Sequence, residues 1–469
     1  MPVQDRSKIP LNRVLGLPTG VLLVAGIMIG SGAFKKIAPM SQALMSESWI
    51  VIAWIIGGLI TLCGAFTYAG LASITTQSGG VYEYLRLTYG KFIAFLFGWM
   101  MFTIGGTGAV AALAFVFAQS VNTLIPFPNP LDAWKDISIG NFIFPFASSG
   151  IKLFAIITII VLNWVNYRGI KNGSVLNNIV TAAKIMGIVL LIIMGLSFTR
   201  DSGAPVVIST AAEPAGIALL SALFGALLSV LWAYDGWANI TYITGEMKNP
   251  QRNVPLAITG GVLIAMILYV LLNYSYMNVM DVTELAKVGE NQIAAAEVAN
   301  RIMGQPGTIV ISLLIMVCTF GAVNACIMVY PRLFYRMAQE KSFFQKASYV
   351  HPTFRTPYIS IVYTCIWSIV LVLTGTFDLL TNLIVFTSYM FFGAIAWGVV
   401  RMKRKGLITA RVIGYPVLPY IIIIFSLTLV VNTFIVQMQQ SLLGLGLVLS
   451  GIPFYYYFRK KYPENDSTT

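Results

Sequence analysis

The feature that most constrains this chain is a series of twelve apolar segments, each long enough to cross the roughly 30 Å of hydrocarbon in a bilayer as a helix. Strands of a membrane barrel would alternate apolar and polar residues, and these segments do not. With 57% hydrophobic and 10% charged residues, the 469-residue chain carries more apolar side chain than a soluble fold can bury. We therefore predict an all-α integral membrane protein with twelve transmembrane helices. The segments cover residues 14–38, 49–74, 92–118, 151–167, 174–198, 216–245, 256–280, 306–332, 358–375, 379–400, 416–436 and 441–458.

The basic residues predict the orientation of these helices. With the N-terminus inside, the cytoplasmic connections and tails hold about 22 of the 30 Lys and Arg residues, and the outer connections hold about 7. This asymmetry follows the positive-inside rule only if residues 1–13 and 459–469 are cytoplasmic tails. The net charge of +13 is thus explained by membrane topology rather than by nucleic-acid binding. We expect a multi-pass protein of the cell membrane with no cleavable signal peptide.

The segments also repeat along the chain. Adding about 205–215 to the starts of the first five segments gives the starts of the next five. Because five is an odd number of crossings, the second set must enter the membrane from the opposite face. We predict a 5+5 inverted repeat over residues 14–200 and 216–403, with the last two helices, residues 416–458, outside it.

Two segments carry breaks at corresponding positions of the two repeats. Residues 26–32 (GIMIGSG) weaken segment one, since each Gly costs about 1 kcal/mol relative to Ala in a helix, and residues 232–237 (WAYDGW) interrupt segment six. Paired interruptions at membrane depth predict a transporter site. A half-helix starting near Ser31 suits a carboxylate, and carbonyls of half-helices ending near Ala25 and Ala233 suit an ammonium group. An α-amino acid carries both groups; the alternative for the glycines is close helix packing.

At these residues the sequence resembles the amino acid–polyamine–organocation superfamily, and it is close to the L-type amino-acid transporter branch, which includes bacterial serine/threonine exchangers. The resemblance implies a LeuT-type fold, with substrate held between segments one and six and segments three, eight and ten around it. The stretches that carry the resemblance are residues 30–34 (GSGAF), 68–71 (YAGL) with 78–82 (SGGVY), 166–171 (NYRGIK), 233–237 (AYDGW) with 246–255 (EMKNPQRNVP), 321–324 (GAVN) and 351–357 (HPTFRTP).

Three features depart from that pattern. Gly70 stands where the family usually has Glu, and Trp232 stands where many relatives have Phe. The connection between segments three and four has no cysteine, so we expect no disulfide-linked heavy-chain partner. We expect no cofactor and no metal, because the four cysteines lack metal-ligand spacing and the one histidine, His351, lies in a polar loop.

The resemblance and the breaks together give a set of candidate substrate-binding residues. The main chain of Ser31 and Gly32 is expected to bind the carboxylate, although Ser31 is alternatively only a helix cap. Trp232, with Phe320, is expected to close over the substrate side chain unless these rings simply pack. Asn324 either faces the cavity or makes an interhelical hydrogen bond. The full set is Ile27, Met28, Gly30, Ser31, Gly32, Trp232, Ala233, Tyr234, Asp235 and Asn324.

Two charged residues within the segments are of special interest. By resemblance, Lys184 stands where sodium-coupled relatives bind sodium, and we expect it to brace segment one and act in coupling; the alternative is snorkelling to the interface. Asp235 is interpreted first as a helix cap, with a proton site and a partner for a cationic substrate as alternatives. A cytoplasmic cluster of Glu246, Lys248 and Arg252 with Arg332 and Arg336 forms either an inner gate or a charge belt.

These observations predict a sodium-independent transporter, working as an exchanger of small neutral L-amino acids by alternating access. A proton-coupled symporter, or a carrier of cationic amino acids or polyamines, is the alternative with the same fold. An intramembrane enzyme would need a nucleophile, base or metal cluster at membrane depth. The apolar segments contain no histidine and no paired carboxylates, so we expect no enzymatic activity.

Overall fold

The computed structural model describes residues 15–72, 80–139, 143–168, 173–198, 214–289, 292–354, 356–408 and 412–462. Over these residues the chain is helical, with two isolated β-bridges, Leu15–Met247 and Ile139–Ile143, and no strand. Helices satisfy every backbone polar group within one segment, which a chain in hydrocarbon requires. The predicted N-terminal tail, residues 1–13, and the last seven residues of the predicted C-terminal tail lie outside the described residues.

The first half of the chain forms nine helices over the described residues. A π-helix, Met101–Gly105, joins two of them, so that α6 and α7 make one span from Lys91 to Leu124. The helices are α1 Leu17–Met28, α2 Gly32–Lys35, α3 Ile37–Leu44, α4 Glu47–Ala72, α5 Gly80–Tyr89, α6 Lys91–Met100, α7 Gly106–Leu124, α8 Ser149–Arg168 and α9 Gly173–Ser197.

The second half forms ten more helices over the described residues, together with a 3-10 helix, Trp237–Glu246, that follows the break in segment six. The helices are α10 Gly216–Ala233, α11 Pro250–Val279, α12 Val282–Ala286, α13 Ala294–Met303, α14 Gln305–Gln339, α15 Tyr358–Thr374, α16 Phe377–Arg404, α17 Val417–Val436, α18 Met438–Leu449 and α19 Gly451–Lys461.

Each of the twelve predicted segments coincides with helix. Among the described residues eleven helices are long and apolar enough to cross a membrane, and the remaining segment is α15, whose 17 residues span about 25 Å. The four largest differences from the predicted boundaries are these: α14 continues past residue 332 to Gln339, α7 continues past residue 118 to Leu124, α11 begins at Pro250 rather than residue 256, and segment one continues through α3 to Leu44. The shorter helices α5, α12 and α13 connect the spans.

The packing brings the two breaks together at the centre of the molecule. Helix α1 packs along α11 and α9, α10 packs against α4 and α16, and α7 packs along α14. The contact between α1 and α11 depends on Gly261, because a Cβ there would lie 2.5 Å from Val24 Cγ1. Ile29 is fully buried and Ser31 is 1% exposed, so the break in segment one lies inside the protein rather than against lipid.

Candidate functional site

The break in segment one lies at residues 29–31, between α1 and α2. The α1 helix continues to Met28, one turn beyond the end predicted near Ala25, and the Ile29 N–H donates to the Ala25 carbonyl at 2.8 Å. The second half begins at Gly32, as expected, with Ser31 as its N-cap. The Ser31 side chain makes no capping hydrogen bond; its Oγ accepts one from the Trp232 indole N–H at 3.3 Å.

The break in segment six lies directly against the break in segment one. Helix α10 ends at Ala233, as predicted, and the chain turns through Gly236, whose φ of +98° favours glycine. A Cβ at Gly236 would also collide with the side chain of Ile27, and a Cβ at Gly32 would lie 2.6 Å from the Ala233 Cα. The two glycines therefore let the interrupted backbones touch, which places both helix ends in one small volume.

A tyrosine that sequence reasoning missed joins the two helix ends. The hydroxyl oxygen of Tyr269, on α11, lies 2.6 Å from the carbonyl oxygen of Met28 and 3.0 Å from that of Ala233. A phenol has one proton, so it donates to one of these carbonyls at a time and leaves the other to accept from a further donor. The sequence feature that could have indicated this role is a tyrosine within an apolar span, because a buried phenol hydroxyl requires a hydrogen-bond partner.

Lys184 lies under the broken end of α1. Its Nζ donates to the carbonyl oxygens of Gly26 at 3.1 Å and Ile29 at 3.3 Å, and the residue is 2% exposed. The side chain therefore points into the protein and does not snorkel. One turn earlier on α9, the Thr181 hydroxyl occupies the space that a Cβ at Gly26 would take, so Gly26 allows α9 to approach the break.

Trp232 lies against the break, where its indole N–H donates to the Ser31 hydroxyl. It is 6% exposed, and its ring stands edge-on to that of Phe377 on α16, with centroids 6.1 Å apart. Gly30 faces Leu113 of α7 and Ala322 of α14, whose side chains would lie 3.4 and 3.8 Å from a Cβ at this glycine. Segments three, eight and ten thus surround the break, as the resemblance implied.

A buried charge cluster lies beyond Trp232, and the sequence did not indicate it. Lys36 Nζ is 2.6 Å from Asp378 Oδ1 and donates to the Thr381 hydroxyl at 2.7 Å. Lys35 donates to Gln119 Oε1 at 2.9 Å. Both ammonium groups lie within 4.8 Å of the centroid of the Phe377 ring, which Trp232 also contacts. The cluster ties the second half of segment one to α16.

Asp235 directly follows the end of α10. Its carboxylate accepts a hydrogen bond from the Gly236 N–H, and its own N–H donates to the Trp232 carbonyl at 3.1 Å. The first bond lies just before the 3-10 helix that begins at Trp237 and the second closes the end of α10, so the cap interpretation stays a prediction. The carboxylate also lies within electrostatic range of the phenols of Tyr242, Tyr330 and Tyr389.

Three predicted residues point away from this site. The Tyr234 hydroxyl donates to the Trp54 carbonyl at 3.1 Å, so its side chain packs into the α4 interface. Asn324 Oδ1 accepts from Asn166 Nδ2 at 2.8 Å, which is the interhelical bond weighed as its alternative. Phe320 is 43% exposed, because it continues an outward-facing stripe of α14 that includes Leu313 and Val317. The expectation that Phe320 covers the substrate is wrong.

The predicted cytoplasmic cluster lies partly outside the described side chains. Arg336 pairs with Glu340 at 2.7 Å, and Arg332 donates to the Met328 carbonyl. Lys248 and Arg252 have exposed side chains, and of Glu246 only the backbone is described. The arrangement resembles the interfacial charge belt more than a gate.

An ion pair at the same end of the molecule was not predicted. Glu83, which is buried on α5, holds Arg86 through hydrogen bonds of 2.6 and 2.9 Å. These bonds raise the pKa of Arg86 above its ordinary value, because they stabilise the charged guanidinium. Helix α5 packs against the 3-10 helix of segment six. Among the described residues there is no group of three His, Cys, Asp or Glu side chains that could hold a metal.

Comparison with known proteins supplies the family. The model of the family described as amino acid permease matches residues 15–452. The chain belongs to the amino acid permease family. This permease is 31% identical to the serine/threonine exchanger SteT of Bacillus subtilis (strain 168), over 96% of the chain and 98% of that protein. It is 30% identical to the human b(0,+)-type amino acid transporter 1, over 97% and 90% of the two chains. It is 27% identical to the human large neutral amino acids transporter small subunit 2, over 96% and 81%.

These matches confirm the predicted family and fold. The permease is a multi-pass membrane protein of the amino acid–polyamine–organocation superfamily, with a LeuT-type 5+5 inverted repeat whose first and sixth helices are broken. They also confirm the predicted class of function, since this family transports amino acids. The permease therefore carries amino acids across a membrane.

Proposed function

We propose that this permease is a sodium-independent exchanger of small neutral L-amino acids that works by alternating access. The observation that carries the proposal is the meeting of the two helix ends, where the carbonyls of Met28 and Ala233 converge on the Tyr269 hydroxyl. One carbonyl is left to accept from an ammonium group. The backbone N–H groups of Ser31 and Gly32, where the break ends and α2 begins, suit a carboxylate.

The proposed binding mode uses backbone more than side chains. Ile27, Met28, Gly30, Ser31 and Gly32 contribute from segment one, and Trp232, Ala233 and Asp235 from segment six. The substrate's side chain lies beside Trp232, whose buried ring narrows the available space and so supports small substrates. Tyr234 and Asn324 are not part of the proposed binding site, because their side chains form hydrogen bonds with Trp54 and Asn166.

Lys184 supports independence from sodium. Its ammonium group already occupies the carbonyls of Gly26 and Ile29, which are the oxygen ligands that a sodium ion would require. A second cation there would meet like charge in a low-dielectric interior, at a cost of several kcal/mol. We assign Lys184 the coupling role: it holds the broken end of α1, and its contacts change when segment one moves.

The proposals that this permease exchanges its substrates and that these are small neutral amino acids are supported in part by a similar protein. The Bacillus subtilis protein at 31% identity is named a serine/threonine exchanger, which supports small neutral substrates and exchange. The alternative is a proton-coupled symporter or a carrier of cationic amino acids. Asp235 favours it, because its carboxylate lies beside the break and within electrostatic range of the phenols of Tyr242, Tyr330 and Tyr389.

The membrane arrangement completes the proposal. Both termini are cytoplasmic in the cell membrane, the repeats cover residues 14–200 and 216–403, and no disulfide-linked partner is attached. The excess of basic residues on one side supports the orientation. The absence of cysteine between α7 and α8 in the sequence supports an unlinked chain. Impermeant thiol reagents should label cysteines introduced at Lys135 and Lys403 from opposite sides of the membrane; labelling from one side would contradict this topology.

The deciding experiment is reconstitution in liposomes. Labelled alanine, serine and threonine should enter rapidly only when unlabelled substrate is inside, and equally in sodium and choline buffers. Uptake should be competed by alanine far more strongly than by arginine or putrescine. Uptake that needs no internal substrate but follows an imposed proton gradient would favour the symporter, and competition by arginine or putrescine but not alanine would favour a cationic carrier.

A further inference from the structure

A cavity of about 270 Å³ lies away from the transport site, on the side of the molecule where α15 faces lipid. Five apolar or aromatic side chains line it: Phe102, Phe344, Tyr363, Ile366 and Trp367. Ile366 is 57% exposed and lies on one face of α15 with Val362 and Val370, which are 41% and 37% exposed. Since residues four apart share a helix face, this face is turned toward the hydrocarbon.

The walls of the cavity are mainly apolar, since four of the five lining side chains are Phe, Ile or Trp. The rings of Phe102 and Trp367 stack with centroids 5.8 Å apart, and the Trp367 indole N–H is already donated to the Thr103 carbonyl at 2.9 Å. Its volume is below the roughly 300–1,000 Å³ typical of sites for drug-sized ligands. An apolar slot of this size that opens to hydrocarbon fits a flexible acyl chain.

The elements around the cavity all end on the same side of the membrane. Helix α6 begins at Lys91, α15 begins at Tyr358, and α19 ends at Lys461. Aromatic contacts hold α19 against the other elements around the cavity. The ring centroids of Phe458 and Phe344 are 5.2 Å apart, and those of Tyr455 and Phe92 are 5.0 Å apart.

These contacts bring together basic residues that are distant in sequence. Lys346 is two residues from Phe344, and Arg459 and Lys460 directly follow Phe458. All three side chains are exposed at the same membrane side as the cavity. Basic side chains at a membrane surface attract anionic lipid headgroups, by about 1 kcal/mol each. The rim formed by Lys346, Arg459 and Lys460 is therefore complementary to a lipid phosphate, while the cavity beside it is complementary to a lipid chain.

We propose that this cavity and rim together bind one anionic phospholipid, with an acyl chain between Phe102, Phe344 and Ile366 and the phosphate among Lys346, Arg459 and Lys460. Neither part alone would specify the ligand. The apolar slot accepts any lipid chain, and the basic rim accepts any phosphate; the two together select a headgroup that carries net negative charge over a zwitterionic one.

The test is lipid binding by the intact, delipidated permease, measured by native mass spectrometry with phosphatidylglycerol and with phosphatidylcholine. We expect one phosphatidylglycerol to bind preferentially. The triple variant K346Q/R459Q/K460Q should bind it at least about tenfold more weakly. The matched triple K248Q/R252Q/K405Q removes three exposed charges elsewhere and should bind it as the wild type does. Inorganic phosphate should not displace the lipid, because it lacks the chain.

A second pair of variants tests the cavity. Ile366→Trp fills the slot and should reduce phosphatidylglycerol binding, whereas Val370→Trp adds the same ring one turn further along the lipid-facing stripe and should not. Equal binding of the two lipids, equal losses in the two triple variants, or wild-type binding by Ile366→Trp would each overturn the proposal. The first two outcomes would indicate only a non-specific annular lipid.

Discussion

The hydroxyl oxygen of Tyr269 lies 2.6 Å from the carbonyl oxygen of Met28, at the point where segment one loses its helix. The same hydroxyl is 3.0 Å from the last carbonyl of α10, so one side chain of an unbroken helix connects the ends of both broken ones. In the proposed transport cycle, any movement of segment one relative to segment six must change these distances.

Tyr269→Phe should weaken substrate binding while leaving the permease folded. The change removes one proton donor between two buried carbonyls, and an unmade buried hydrogen bond costs about 1–3 kcal/mol. We expect about a tenfold rise in the half-saturating substrate concentration in liposome exchange. The control is Tyr234→Phe, which removes a hydroxyl bonded to Trp54 outside the site and should alter stability more than affinity. Equal affinity losses in both variants would contradict this distinction.

Lys184→Met should lower exchange by about tenfold or more without loss of folded protein. Methionine keeps much of the side-chain volume but leaves the carbonyls of Gly26 and Ile29 without their charged donor. A charge-assisted hydrogen bond contributes about 1.5–3 kcal/mol, enough to change which state of segment one is populated. Exchange rates and thermal melting should be measured together. A wild-type rate would mean that the ammonium group only fills space.

Gly32→Ala should abolish exchange, whereas Gly225→Ala should be tolerated. A Cβ at position 32 would meet the Ala233 Cα at 2.6 Å, and backbone cannot give way as a flexible side chain does. The two breaks would be pushed apart at a cost of about 1–3 kcal/mol. At Gly225, on α10, a Cβ meets nothing within 4 Å. Exchange should be assayed for both variants, and gel filtration should check that each is folded. The two variants add the same methyl group, once against backbone and once into open space.

Trp232→Phe should shift the substrate preference toward larger side chains. Removing part of the ring enlarges the space beside the breaks, and each methylene of substrate in an apolar pocket is worth about 1–3 kcal/mol. Competition by leucine relative to alanine should therefore rise several-fold. Phe320→Ala serves as the control, since that ring is 43% exposed on the lipid-facing side of α14. A similar shift in the control would indicate a general loosening instead.

The Lys36–Asp378 pair should behave as a coupled unit. Lys36 is buried, with 1% of its side chain exposed, so Lys36→Met should destabilise the protein by about 3 kcal/mol by leaving a partly buried carboxylate unpaired. Adding Asp378→Asn should recover part of that loss, with a coupling energy of about 1–3 kcal/mol in a double-mutant cycle of thermal stability. Strictly additive losses would show that the pair does not hold segment one to α16.

The number of membrane segments and the positions of both breaks could be predicted from the order of residues along the chain. Hydrophobic length and the presence of glycines are local properties, and hydrocarbon permits only one spanning geometry for such segments. For this reason the sequence correctly predicted that α10 ends at Ala233 and that the second half of segment one begins at Gly32.

The side chains that meet at those breaks could not be predicted in the same way, because they depend on how the helices pack. A segment that is apolar on every face has no periodic pattern, so its rotation about its own axis is not encoded locally. For that reason Tyr269 and the Lys36–Asp378 pair were not predicted, although they lie at the site. For the same reason Phe320, Tyr234 and Asn324 were assigned to a site from which packing turns them away. Their rotation is fixed by contacts with helices that are distant in sequence, such as α4 for Tyr234 and α8 for Asn324.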